Sequence, residues 1–154
     1  MSRKPRESNP QSSSAAPITI LHISDPQFGR NHRFGRLGLP APDDQFDSLI
    51  QRLADDLAAL RDGEYALRPN VLVVSGDLAE WGKRSEFDDA DEFLQQLTDR
   101  LNLDRRRVVI VPGNHDINRK QCEAYFTQCE ADEQLPTPPF WPKWKFFVEL
   151  FERF

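Results

Sequence analysis

The chain is poor in the residues that most often build metal cages and disulfide frameworks. It has three histidines and two cysteines in 154 residues, and no histidine follows His115. Cys122 and Cys129 are seven positions apart in a segment that reads as helix. Two helical turns separate their Cα atoms by about 10 Å, which excludes a disulfide and leaves two reduced thiols in packing positions. Long apolar runs are missing too, and none is long enough to span a membrane as a helix. The first sixteen residues are polar and serine-rich, without the apolar stretch of a signal peptide. They are expected to form a disordered tail (1–16) ahead of one domain (17–154), in a cytoplasmic protein. A basic excess is absent as well: the net charge of −5 gives no general bias towards nucleic acid. At this length one domain with a modest core is the ceiling.

What the chain does have is a recurrent pairing of apolar run and polar cluster. Asp25-Pro26-Gln27 follows the run Ile18 to Ile23, Gly76-Asp77 follows Val71 to Val74, and Gly113-Asn114-His115-Asp116 follows Val108 to Val111. Such runs, with helical segments between them, predict buried parallel strands of an α/β sheet. Ligands in these sheets bind outside the carboxyl ends of the strands, so residues far apart in sequence should meet on one edge. The patch would hold Asp25, Gln27, Asp77, Asn114, His115 and Asp116. Oxygen ligands with one imidazole suit manganese, iron or zinc. A single Asp or Asn behind a strand usually caps a helix or makes a turn. Three in register, one of them carrying His115-Asp116, point instead to a site.

These clusters resemble the opening motifs of the calcineurin-like metallophosphoesterases: Asp-x-His, then Gly-Asp, then Gly-Asn-His-Asp. Gly82 matches a glycine common shortly after the second motif, and the resemblance covers roughly residues 17 to 119. It implies a two-sheet sandwich flanked by helices, of which this chain supplies the first βαβαβ half. It further implies two divalent ions (manganese, iron or zinc) and a bridging hydroxide that attacks a phosphate ester. On that resemblance Asp25 and Gln27 hold the first metal, Asp77 bridges, and Asn114 holds the second and meets the substrate. His115 stabilises phosphate oxygens or protonates the leaving group, and Asp116 fixes its tautomer. Two positions depart from the family. Gln27 stands where the family has histidine, which weakens or re-tunes the first metal. The later Gly-His and Gly-His-x-His have no counterpart, so the chain reads as the first half of a catalytic domain.

The intervening segments read as helices. Phe46, Leu49, Ile50, Leu53, Leu57 and Leu60 share one side, with Asp43, Asp44 and Asp47 near the start and Gly63 as a stop. Ser85 is expected to cap a second helix with apolar side Phe87, Ala90, Leu94, Leu97 and Leu101, its first-turn acids facing water. Arg30 and Arg33 follow the first motif, where they either clamp substrate phosphate or simply face solvent. His22 is expected to be a packed core histidine. Phe140, Trp144, Phe147, Val148, Phe151 and Phe154 mark an aromatic helix face, to be covered by the remainder of a longer polypeptide, by a protein partner or by a membrane surface. Two functions fit: metal-dependent hydrolysis of a phosphomonoester or phosphodiester, or a non-catalytic, degenerate phosphoesterase module that binds nucleotide or protein in a larger assembly.

Overall fold

The computed structural model describes residues 17–32, 34, 49–64 and 66–154. The expected tail, Arg33, and the acidic start of the first helix with Phe46 lie outside the described residues. Three short β-branched runs form strands: β1 (Ile20–Ser24), β2 (Val71–Ser75) and β3 (Val108–Val111). Helix α1 (Leu49–Asp62) lies between the first two and α2 (Arg84–Leu101) between the second pair. Helices α3 (Arg119–Ala131) and α4 (Lys145–Arg153) follow the sheet. The strands lie side by side in the order β1-β2-β3 and are all parallel, with Ile20 opposite Val71 and Leu72 opposite Val108.

That order decides which face is covered. Parallel crossovers are right-handed, so two that step in the same direction put α1 and α2 on one face of the sheet. Leu72 and Val74 are fully buried there, with Leu21, Ile23, Val108 and Ile110 packed beside them. The alternate residues, Ile20, His22, Val109 and Val111, are exposed on the other face. The strands expected to be buried are thus core on one side only. His22 is corrected with them, since it is exposed, and its Nε2 meets the Ser75 hydroxyl at 2.6 Å.

Helix α2 supplies more of the buried core than any other element. Phe87, Ala90, Leu94 and Leu97 repeat at three- and four-residue steps and are all essentially inaccessible. Each large apolar side chain so buried contributes about 1.5–3 kcal/mol. The helix starts at Arg84, so Ser85 is already inside the first turn and does not cap it. Instead the buried Glu86 carboxylate reaches back, accepting the N–H groups of Trp81 (2.8 Å) and Lys83 (3.0 Å). One of the acids expected to face water is thus the cap itself, favoured by the positive end of the helix.

The aromatic C-terminal helix finds its cover within the chain. Leu150 is fully buried, and Phe146, Phe147 and Phe154 pack against the core, with Phe147 edge-on to Phe87 at 6.1 Å. Arg84–Glu149 (2.8 Å) and Arg153–Asp88 (3.0 Å) flank the contact between α2 and α4. The expectation of an external partner over this stripe is corrected accordingly. The seam that meets α2 runs 147–150–154, which leaves Phe151 on the solvent side. Both cysteines are free, with Cys129 buried in α3.

Candidate functional site

The strand ladders do not stop where the strands end. Asp25 N–H donates to the Gly76 carbonyl (3.3 Å), Gln27 N–H to Asp77 (2.9 Å) and Phe28 N–H to Leu78 (2.7 Å), while Glu80 N–H returns to Phe28 (3.0 Å). Gly76 N–H in turn donates to Val111 (2.7 Å). The loops after the three strands are thereby tied together, with Asp25 beside Gly76 and Gln27 beside Asp77. At the third loop Asp77 Oδ1 accepts the backbone N–H of His115 at 2.8 Å. Gly113 permits this approach, because a side-chain carbon there would sit 2.5 Å from the Asp77 nitrogen.

The backbone at this junction is strained. Asp25 (φ 53°), Gln27 (φ 47°) and Asp77 (φ 49°) all adopt left-handed conformations. Each costs about 1–2 kcal/mol in an L-residue, and Gln lacks the local hydrogen bonding that eases Asp. Strain of this kind persists where surrounding structure over-determines it, characteristically at ligand clamps and active sites. Three of the four expected metal ligands carry it, and the zipped loops hold it in place.

His115 and Asp116 part company. The His115 Nδ1 lies 2.8 Å from the Glu80 carbonyl. A carbonyl only accepts, so Nδ1 carries the proton and Nε2 is the nitrogen available to a ligand. Asp116 does not orient this ring. Its carboxylate is completely buried, with Oδ1 accepting Ala79 N–H and Oδ2 accepting Gly113 N–H, both at 2.8 Å. The expected Asp116–His115 pair is corrected: adjacent residues send their side chains apart, and Asp116 fastens the third loop to the second. Burial pushes the Asp116 carboxyl above the usual carboxylate range, against the amide hydrogen bonds that favour its ionised form.

Glu80, which the sequence reading passed over, joins two of these loops. Its carbonyl holds His115, and its carboxylate accepts the Asn31 backbone N–H at 3.0 Å and the Asn31 side-chain amide. The Asn31 N–H is the main reason its carboxyl lies below the usual range. Its one sequence signal is position, an acid between Gly76-Asp77 and the tightly packed Gly82.

Beside the junction lies a cleft of about 550 Å³, lined by Asn114, His115, Glu80, Trp81, Lys83, Ile117, Asn118, Arg119, Lys120 and Glu123. Asn114 is exposed towards it. Arg30 is exposed at the first turn and does not line this cleft, whose cations come from elsewhere in the chain. Asp25, Gln27, Asp77 and Asn114 are two carboxylates and two amides, an oxygen set suited to a hard divalent cation. Among the described residues no group of three His, Cys, Asp or Glu side chains gathers as a metal site. The set thus fits such an ion in kind, with only two of its members charged.

Among the described residues no helix is long and apolar enough to cross a membrane. No curated protein matches the chain. The family model of the calcineurin-like phosphoesterases matches residues 18–154. The match takes in all three strand–loop units, and with it the chain belongs to the calcineurin-like phosphoesterase family.

Proposed function

We propose that the chain carries the metal-binding and proton-donating loops of a phosphoesterase that hydrolyses a phosphomonoester or phosphodiester. The observation that supports this most is the left-handed backbone shared by Asp25, Gln27 and Asp77 at one loop junction. Asp25 and Gln27 would hold a first divalent ion, Asn114 a second, and Asp77 both. Manganese, iron or zinc would supply a water nucleophile at neutral pH and neutralise phosphate charge. The chain's own residues do the remainder. Asn114 offers its amide to the phosphate at the mouth of the cleft. With Nδ1–H satisfied by the Glu80 carbonyl, His115 presents Nε2 to the ester; as the imidazolium it gives its Nε2 proton to the departing oxygen and is left as the neutral ring that keeps Nδ1–H. Glu80 and Asp116 hold the loops in register without touching substrate.

The test is hydrolysis of p-nitrophenyl phosphate and bis-p-nitrophenyl phosphate with manganese or zinc, in wild type and His115→Asn. Metal-dependent turnover that falls about 100-fold or more in the variant supports the assignment. Turnover indifferent to both metal and His115 overturns it. A second reading, a binding module without catalysis, draws on one observation: among the described residues no three His, Cys, Asp or Glu side chains gather as a metal site. It expects ligand retention without turnover. A cytoplasmic location is also a proposal.

A further inference from the structure

The cleft beside His115 has a chemistry that phosphate alone does not require. Trp81 is 55 % exposed, although the other large aromatics of α2 and its approach are core. Its backbone is fixed, the N–H being held by the buried Glu86, so the indole stands on a rigid base at the start of α2. Lys83 lies over the ring at 5.9 Å from its centroid, and Arg119 and Lys120 open α3 on the facing wall. Of these cations Lys83 is shared with the buried Glu86 carboxylate, at 3.7 Å. Glu80 is turned back onto Asn31, and Glu123 is paired with Lys120 at 2.7 Å. Among the described residues Arg119 has no carboxylate partner. Gly82 brings the walls together: a side-chain carbon there would sit 2.7 Å from the Asn118 nitrogen, and the Asn118 amide donates to the Gly82 carbonyl at 2.9 Å.

We propose that this cleft binds the organic part of the substrate, and that the substrate is a nucleotide, with its base stacked on Trp81, its phosphate towards Asn114 and His115, and Lys83 and Arg119 supplying further anion contacts. The proposal rests on the phosphoesterase reading for its orientation, since His115 and Asn114 line the same cleft. An exposed, anchored indole gives a flat ring a stacking surface, and base stacking on an aromatic tolerates any base. Guanidinium and ammonium groups within reach supply the anion contacts. A cleft of about 550 Å³ lies within the range of small-molecule sites.

The test is equilibrium binding to the whole chain of adenosine 5′-monophosphate, inorganic phosphate and glycerol 3-phosphate, first with EDTA and then with manganese. Adenosine 5′-monophosphate should bind roughly tenfold or more tighter than either smaller anion, the gain that one stacked base contributes. Trp81→Ala should erase that preference and leave phosphate binding unchanged, while Trp141→Ala, an exposed tryptophan outside the cleft, should keep it. Equal binding of the three anions, or a preference that survives Trp81→Ala, overturns the proposal. Because the preference is read without metal, it can fail or stand separately from the metal site. Manganese binding lost with the preference intact would sink the phosphoesterase reading alone.

Discussion

Replacing Asp116 with alanine should destabilise the fold by about 2–4 kcal/mol, although the side chain is absent from the surface and bears no catalytic proton. Its two oxygens each accept one backbone N–H at 2.8 Å, from Ala79 and Gly113, and the residue is fully buried. Deleting the carboxylate orphans both donors at about 1–3 kcal/mol each. Removal of a buried charge offsets part of that loss, as the raised Asp116 carboxyl indicates. The remainder is a large share of the roughly 5–15 kcal/mol that holds a small domain together. Asp116→Asn keeps one acceptor and turns an amide donor towards the other N–H, so it should fall between wild type and alanine. Urea unfolding followed by circular dichroism measures all three. The pH dependence adds a second readout. Burial raises the native carboxyl above its unfolded value, so between the two values the native state binds the extra proton. Wild-type stability should therefore decline as pH rises through that window and level off above it, and Asp116→Asn should lack the decline. An alanine variant within about 0.5 kcal/mol of wild type would refute the reasoning, because the loops would not need this fastening.

Other perturbations probe separate contacts. Gly113→Ala places a carbon against Asp77 and should cost about 1–3 kcal/mol in unfolding experiments while weakening metal binding; wild-type behaviour in both would mean the third loop yields freely. Glu80 has the opposite sign to Asp116. Its carboxyl is lowered by Asn31, so its contribution is present above the usual carboxylate range and lost as pH falls through the native value. Glu80→Gln should flatten the acid limb of a stability–pH curve, and an unchanged limb counts against the clamp. Leu150→Ala should cost about 2–5 kcal/mol and Arg153→Ala less than about 1, because α4 is held by its buried seam and not by its surface ion pairs.

The strands and their polar ends were legible because β-branched runs next to Gly, Asp and Asn carry strong local signals. Val71 to Val74 and Val108 to Val111 became β2 and β3 where the pattern put them. Which residues line the bare face of the sheet was not legible. Leu72 and Val73 look alike in sequence, and only the strand order with same-sided helices decides which of them is buried. Chain adjacency misled at His115-Asp116, where the histidine's partner came from Glu80, thirty-five residues away, through a backbone carbonyl that no side-chain pattern announces. The aromatic stripe of α4 could be seen but not its cover, since the fit to Phe87 is a tertiary fact. Gln27, expected only as a weaker ligand, proved to sit in a strained conformation that its identity does not suggest.

The central claim is that three strand-end loops converge on a divalent-cation site built around Asp77. Calorimetric titration of manganese into the folded chain and its Asp77→Asn variant tests it most directly, because asparagine keeps the acceptor for the His115 N–H while removing the charge. The account predicts saturable binding by wild type and a loss of at least about tenfold in the variant. No saturable binding by a folded wild-type chain, or equal binding by Asp77→Asn, would contradict it.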